Sequence, residues 1–188
     1  GDWVTLIYLI NEDYSDLVAK RVYKPESAEK HLFERIDFAS KKAGINARLT
    51  ALESSSRDFL AKVLEKEADE LLKDKHANYP DTLEGRTLVI EFARGGPDGS
   101  VMPLEAPLGY RYSIRELSEA ILQKAVILYV WVTPEESRRK NSARTDPNDP
   151  GSILHHGVPI DVMMNDYGCD DMEWLEQNSE VPGTITIA

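Results

Sequence analysis

The sequence contains a single cysteine, Cys169, which excludes an intramolecular disulfide framework and a zinc site built on cysteines. No apolar stretch approaches the roughly 20 residues of a membrane span, and no signal peptide is visible. Lys and Arg are absent from residues 145–188, which carry nine of the 33 Asp and Glu residues. Because phosphate binding requires basic side chains, this charge balance argues against non-specific nucleic-acid binding. We therefore expect a cytoplasmic globular protein that binds neither nucleic acid nor membranes.

Three apolar runs rich in β-formers lie between amphipathic helical patterns, at Trp3–Ile10, Thr87–Ala93 and Ala125–Val132. Each run is too short for a typical helix, so each favours a buried strand. Strands that are apolar on both faces and separated by helices are typical of a parallel sheet covered on both sides. The sequence therefore predicts a single three-layer α/β/α domain over residues 1–188. The first run begins almost at Gly1, so we expect further residues upstream of this domain.

The helical segments carry recognisable start signals. Ser113 precedes Glu116 by three residues and Thr133 precedes Glu136 by three, which predicts a capping box at each helix start. The outward face of the Ala47–Lys75 pattern alternates charges, which predicts a solvated surface with ion pairs four residues apart; a partner-binding coiled coil is the alternative. The other predicted helices are Pro25–Gly44, Tyr112–Lys124, a helix from Pro134 onward, and Asp170–Glu176.

A candidate ligand site lies where the second predicted strand ends, because ligands bind beyond the carboxyl ends of strands in open parallel sheets. Glu91 interrupts an apolar run and needs a partner, which a metal-bound water or a substrate hydroxyl could supply. Arg94 could hold a phosphate or carboxylate, and Gly95 and Gly96 would allow the backbone to approach a ligand closely. The alternative is that Glu91 pairs with a helix Arg or Lys and the glycines only turn the chain.

Basic side chains are concentrated after Thr133, at Arg138, Arg139, Lys140 and Arg144. Such a cluster suits the charge on a transferred phosphoryl group, although a solvated face near a helix C-terminus is the alternative. Arg35 is a further candidate for substrate binding, with a surface salt bridge as its alternative. The acidic residues that follow the cluster are expected to face its arginines: Asp146, Asp149, Asp166 and Asp170.

The segments TLVIEFARGG and ILYVWVTPEESRRKNSAR resemble the C-terminal half of P-loop nucleoside/nucleotide kinase-like proteins, and DPGSILHHGVP resembles an uncharacterised bacterial group of that superfamily. The resemblance covers Thr87–Pro159 and implies a lid-like helix and loop at residues 133–160. It implies ATP and Mg²⁺ as cofactors, and a nucleotide and a small molecule as binding partners. Combined with the residue patterns above, it gives catalytic candidates Glu91, Arg138 and Arg144, and binding candidates Arg94, Gly95, Gly96, Arg139 and Arg35.

The phosphate-binding motif of that superfamily, G-x-x-x-x-G-K-[ST], is missing, since none of the 11 glycines is followed by Lys. If the motif lies upstream, we expect an NTP-dependent phosphotransferase or NTPase acting on a small molecule. If it has been lost, we expect a non-catalytic binding or scaffold protein that uses the Ala47–Lys75 helix and the acidic quarter as partner surfaces and that forms a homodimer.

Other chemistries have weaker sequence support. Adjacent His155 and His156 have no third metal ligand at a recognisable spacing, so no metal site is predicted. A hydrolase that uses acidic residues at strand ends is a third hypothesis, but a paired-carboxylate signature is missing. Cys169 has no nearby basic residue in sequence that would lower its pKa, so it is not proposed as a nucleophile.

Overall fold

The structure is a computed structural model that describes residues 2–91, 93–145, 148 and 156–187. The described residues form eight α-helices, and none of these helices has both the length and the apolarity required to cross a membrane. In chain order they are α1 (Asp2–Ala19), α2 (Ala28–Lys42), α3 (Ser54–Ala77), α4 (Gly109–Arg115), α5 (Glu119–Leu122), α6 (Pro134–Arg144), α7 (Ile160–Asp166) and α8 (Met172–Gln177).

The chain divides into two compact units. Unit 1 comprises Gly1–Ile90 and Glu116–Gln123, and unit 2 comprises Glu91–Arg115 and Lys124–Ala188. Unit 1 therefore contains α1, α2, α3 and α5, and unit 2 contains the other four helices. The expectation of one domain over residues 1–188 stays a prediction.

The predicted three-layer α/β/α fold is wrong. Within the described ranges the backbone forms no strand, and its β-type pairing is an isolated antiparallel bridge between Gly96 and Cys169. A P-loop NTPase needs a strand that leads through the phosphate-binding loop into a helix, so the resemblance to nucleoside/nucleotide kinase-like proteins is also wrong. The expectations of a kinase-like, nucleotide-binding protein consequently lose their basis in the fold.

The first apolar run, Trp3–Ile10, is helical and forms the first half of α1. The side chains of Val4 and Ile7 are buried, whereas Leu6 between them is half-exposed. Burial three residues apart fits the period of a helix that presents one face to the core. The apolar run is shorter than the helix that contains it, because α1 continues through polar residues as far as Ala19.

The second and third apolar runs have no regular secondary structure in the described residues. In the third run Val126, Leu128 and Val130 are 95%, 88% and 76% exposed. Residues 125–132 make no backbone–backbone hydrogen bond with another described residue. Their composition favours a strand, but a strand is stable only when a neighbour satisfies its N–H and C=O groups. Composition alone therefore did not produce a sheet.

Of the two predicted capping boxes, the one at Thr133 is confirmed and the one at Ser113 is wrong. Thr133 caps α6 as predicted: its hydroxyl accepts a hydrogen bond from the Glu136 N–H at 3.2 Å, and Pro134 takes the first helical position. Ser113 is not a cap, because it lies inside α4 and its hydroxyl donates to the Gly109 carbonyl at 2.7 Å. The other predicted helices correspond to α2, to α3 and to α8, although α3 begins only at Ser54.

In unit 1, α2 packs against both α1 and α3. The buried contact between α2 and α3 consists of Ala28, Ala68 and Leu72, and Tyr23 and Leu32 pack against it. The helical positions among them lie four residues apart on one face of each helix, Ala28 and Leu32 on α2 and Ala68 and Leu72 on α3, as expected for amphipathic helices that bury a single stripe.

The N-terminus of α2 is capped by Ser27, the residue that precedes it, and by Glu65 of α3. The Ser27 hydroxyl accepts a hydrogen bond from the Lys30 N–H at 3.3 Å. Glu65, on α3, accepts from the Ser27 hydroxyl at 2.6 Å and from the Ala28 N–H at 2.9 Å. The hydrogen bond from Ser27, followed by those from the backbone, lowers the pKa of Glu65. A carboxylate from another helix thus satisfies N–H groups that the start of a helix leaves free.

Asp37, on α2, holds the loop that leads to α3. Its buried carboxylate accepts hydrogen bonds from the N–H groups of Arg48, Leu49 and Thr50 at 2.9, 3.1 and 2.6 Å. Burial by itself would raise the pKa of Asp37, but a hydrogen bond from the Thr50 side chain, together with these backbone hydrogen bonds, outweighs it and lowers the pKa to about 2. The carboxylate therefore stabilises the folded state in its ionised form.

We expect Asp37→Asn to lower the free energy of unfolding by about 2 kcal/mol at neutral pH. Because the folded-state pKa is depressed, this stabilisation is present above the pKa of an unfolded Asp and is lost as the pH falls towards 2. Urea unfolding at neutral pH and near pH 3 should show a smaller difference between variant and wild type at the lower pH. Asp74→Asn, at an exposed site on α3, is the control; a difference independent of pH would disprove the role of Asp37.

In unit 2, α4 and α8 pack together, and the residue that precedes α8, Asp171, caps the start of α4. Asp171 is fully buried and accepts hydrogen bonds from the N–H groups of Tyr110 and Arg111 at 2.6 and 3.3 Å. These N–H groups belong to the first turn of α4, so Asp171 fixes its start relative to α8. Gly109 opens the helix with a φ of +75°, in the region that favours glycine.

Candidate functional site

The residues predicted at a strand end lie in unit 2, and most of them have structural partners. Glu91 is exposed, whereas Arg94 is buried. The Arg94 Nε donates to the Ser113 hydroxyl at 2.6 Å, and its Nη2 donates to the Pro107 carbonyl at 3.1 Å. Burial lowers the pKa of Arg94. In this arrangement Arg94 connects three segments of unit 2, and its proposed role in holding a substrate stays a prediction.

The two glycines that follow Arg94 allow two chain segments to approach closely. A Cβ atom on Gly95 would lie 2.6 Å from the Cys169 carbonyl oxygen, closer than side chains pack in proteins. The Gly96 N–H donates to that same carbonyl at 2.9 Å, and the Cys169 N–H donates back to Gly96 at 3.2 Å. The glycines therefore meet a protein backbone where the sequence predicted the approach of a ligand; ligand binding there stays a prediction.

The predicted basic cluster lies along α6, which has no buried residue. Arg139 pairs with Glu136 through two hydrogen bonds of 2.7 Å, and the Arg138 Nη1 lies 3.9 Å from the Met164 sulfur. Arg144 is exposed in the last turn. The catalytic roles of Arg138 and Arg144 and the lid-like behaviour of residues 133–160 stay predictions.

Of the acidic residues expected to face these arginines, Asp166 and Asp170 belong to the described residues. Asp170 accepts hydrogen bonds from the Tyr129 hydroxyl at 2.7 Å and from the Met172 N–H at 2.9 Å. In the part of the chain that the structure describes, neither Asp166 nor Asp170 forms an ion pair with an arginine of α6. The other two predicted partners, at positions 146 and 149, lie outside the described residues.

Arg35, the remaining binding candidate, belongs to an ionic cluster between the helices of unit 1. Its Nε lies 3.1 Å from Glu12 and its Nη2 lies 2.6 Å from Asp13, both on α1. Burial would lower the pKa of Arg35, but the charges of Asp13 and Glu12 raise it. The alternative of a salt bridge is the arrangement observed.

The centre of this cluster was missed by the sequence analysis. Asp16 is fully buried and accepts hydrogen bonds from Lys75 at 2.8 Å, from Arg21 at 3.0 Å and from the Tyr23 hydroxyl at 3.0 Å. Lys75 also reaches Asp13 at 2.6 Å, so α3 is joined to α1 through charged groups. The spacing of Asp13 and Asp16 would have revealed a shared helical face, had the preceding run been assigned to a helix.

The outward side of α3 combines the predicted charges with exposed apolar residues. Lys66 pairs with Glu70 at 3.8 Å and Lys73 with Asp69 at 2.5 Å, which confirms the predicted ion pairs four residues apart. We define the α3 stripe as the large apolar side chains that interrupt these charges and are 66%, 58% and 58% exposed: Phe59, Val63 and Leu71.

No protein-family model, curated protein or solved structure matches the chain. The surfaces of the molecule itself are therefore the basis for inferring its function. Within residues 2–91, 93–145, 148 and 156–187, no group of three or more His, Cys, Asp or Glu side chains could hold a metal ion. The α3 stripe is the surface that we take as the candidate functional site.

Proposed function

We propose that this chain is a non-catalytic binding module whose α3 stripe pairs with the same stripe of a second copy. The observation that carries this proposal is the exposure of Phe59, Val63 and Leu71 on the longest described helix. An amphipathic helix normally turns its large apolar residues towards its own core. Exposed apolar surface that is rimmed by polar residues is a feature of protein–protein interfaces.

The charges around the stripe favour an antiparallel pair. N-terminal to Lys66 the exposed charges of α3 are one acidic and one basic, and C-terminal to it they are three acidic and one basic. Antiparallel pairing places the C-terminal half of each helix, which carries the acidic excess, beside the neutral half of the other helix, whereas parallel pairing places the two acidic halves side by side. The exposed charged residues are Asp58, Lys62 and Lys66, then Glu67, Glu70, Lys73 and Asp74.

This pairing also matches the positions of the apolar residues. A two-fold axis near Lys66 brings Phe59 of one copy next to Leu71 of the second copy, and Val63 close to the centre. The stripe spans about 18 Å of helix. Such a self-complementary patch gives a closed, isologous dimer.

We expect wild-type protein to show a concentration-dependent monomer–dimer equilibrium in sedimentation experiments. Val63→Lys should shift the protein to monomer, because it places a charge in the centre of an apolar contact. Val101→Lys makes the same chemical change at a loop position that is 86% exposed in unit 2, and it should leave the equilibrium unchanged. A wild-type protein that stays monomeric at all concentrations, or a Val63→Lys variant that dimerises like wild type, would rule out the pairing.

An ATP- and Mg²⁺-dependent phosphotransferase remains a separate expectation. The arginines that would carry it belong to different local structures: Arg35 pairs with Asp13 in unit 1, and Arg139 pairs with Glu136 in unit 2. We favour the binding module because the α3 stripe supports it directly.

A further inference from the structure

A small pocket lies in unit 1 on the side of α3 that faces α2. Its volume is about 180 Å³. Since water occupies about 30 Å³ per molecule in the liquid, the pocket has room for a compound of only a few heavy atoms. The residues around it come from α2, from α3 and from the loop held by Asp37; those that the inference uses are Glu29, Lys30, Phe33, Glu34, Arg57 and Asp58.

Glu29 is the lining residue with an unsatisfied buried carboxyl oxygen. It is 2% exposed, and its Oε2 atom is buried with no hydrogen-bond partner among the described residues. Burial, and then the nearby charge of Glu65, raises its pKa. An unpartnered buried carboxylate is destabilising unless a cation or hydrogen-bond donors approach it.

The basic residues around the pocket do not meet this need. Lys30 is exposed, and no ion pair joins it to Glu29 within the described ranges. The Nη1 of Arg57 donates to the Thr50 carbonyl at 3.0 Å. Neither of these basic side chains therefore supplies a hydrogen bond to the Oε2 atom of Glu29.

We propose that this pocket binds a small organic cation with N–H donors, such as a primary ammonium or guanidinium compound, whose charge pairs with Glu29. Such a ligand supplies both the charge and the hydrogen bonds that the Glu29 carboxylate lacks. Glu34 and Asp58 add negative charge at the exposed rim, and the ring of Phe33 offers an aromatic surface to the cation. The site is independent of the α3 stripe and goes beyond the proposed function.

A second pocket in unit 1, of about 390 Å³, is a weaker candidate although it is larger. The Tyr8 hydroxyl donates to the Glu116 carboxylate at 2.5 Å, and the Asn11 amide donates to the Glu116 carbonyl at 2.8 Å. Because these polar groups are already satisfied, this pocket has less need of a polar ligand.

The direct test is a titration of the full chain with n-butylammonium chloride, followed by amide NMR shifts at positions around the pocket. We expect saturable shifts there, and no such shifts with 1-butanol, which has a similar size without the charge. Glu29→Gln keeps the shape and removes the charge, so the dissociation constant should rise at least about 10-fold. Glu34→Gln changes an exposed lining carboxylate and should alter it by less than about 5-fold.

The pH dependence gives a second readout. Affinity should rise with pH as Glu29 ionises, and Glu29→Gln should remove most of that dependence. The other charged groups near Glu29 are Lys30 and Glu34 on α2, and Arg57, Asp58 and Glu65 on α3; Glu34→Gln should retain the pH dependence.

Thermal unfolding shows whether Glu29→Gln is folded, and we expect it to be at least as stable as wild type, because the amide carries no buried charge. Repeating the titration in the Val63→Lys background separates ligand binding from dimerisation. Absence of saturable shifts with butylammonium in wild type, or equal affinity in Glu29→Gln, would overturn the proposed site.

Discussion

Replacing Asp16 by Asn should lower the free energy of unfolding by about 3 kcal/mol, because it breaks a buried ion pair from one side. The Asp16 side chain is fully buried, and the side chain of Lys75, whose ammonium donates to it, is only 20% exposed. In the variant, Lys75 keeps Asp13 as a partner. We therefore expect a loss near the lower end of the about 3–5 kcal/mol that removing one partner of a buried ion pair costs. Urea unfolding of wild type and variant measures the difference.

Asp69→Asn is the matched control for this prediction. Asp69 pairs with Lys73 at 2.5 Å, but both side chains are largely exposed on α3. Exposed ion pairs four residues apart contribute about 0.5 kcal/mol or less. Similar losses in Asp69→Asn and Asp16→Asn would show that the buried cluster between α1 and α3 does not stabilise unit 1.

Gly109→Ala should destabilise unit 2 by about 3 kcal/mol. The φ of Gly109 is +75°, which costs a residue with a Cβ about 1 kcal/mol or more. A Cβ would also lie 2.6 Å from Oδ2 and 2.7 Å from Oδ1 of Asp171, the carboxylate that caps α4. Displacing that carboxylate removes a cap, which accounts for a further loss of about 1–2 kcal/mol.

Gly99→Ala separates the two contributions. Gly99 has a φ of +76°, but a Cβ there would have no atom within 4 Å among the described residues. Only the backbone strain should remain, so the expected loss is about 1 kcal/mol. Equal losses for the two variants in urea unfolding would contradict the proposed contact between Gly109 and Asp171.

The sequence allowed the prediction of those helices that carry their own end signals. The start of α6 follows from Thr133, Pro134 and Glu136 within one turn, and α2 is followed by Gly44 at a φ of +72°. The strand predictions were wrong because a continuous apolar run does not show whether its buried residues recur with the period of a strand or with that of a helix. Trp3–Ile10 meets its need for burial on one face of α1, and Ala125–Val132 lacks a paired strand in the described residues.

The candidate sites depended on contacts between distant positions. Glu29 lies inside the helix predicted over Pro25–Gly44, but its burial and its proximity to Glu65 follow from the packing of α2 on α3. The charges of α3 were visible in its sequence, whereas the outward direction of Phe59 and Val63 became evident only once the packed face was known. Periodicity identifies an apolar face, and tertiary packing decides whether a partner covers it.

The most direct test of the binding-module account measures distances between spin labels on α3 of two copies. Single cysteines at positions 58, 66 and 74, each introduced with Cys169→Ser, place labels on exposed residues of one helix. The antiparallel pair predicts a short distance between labels at 66, near the two-fold axis. It predicts that labels at 58, or at 74, lie about 24 Å apart along the helix axis. Three equal distances, or no dipolar coupling at protein concentrations where sedimentation shows a dimer, would contradict it.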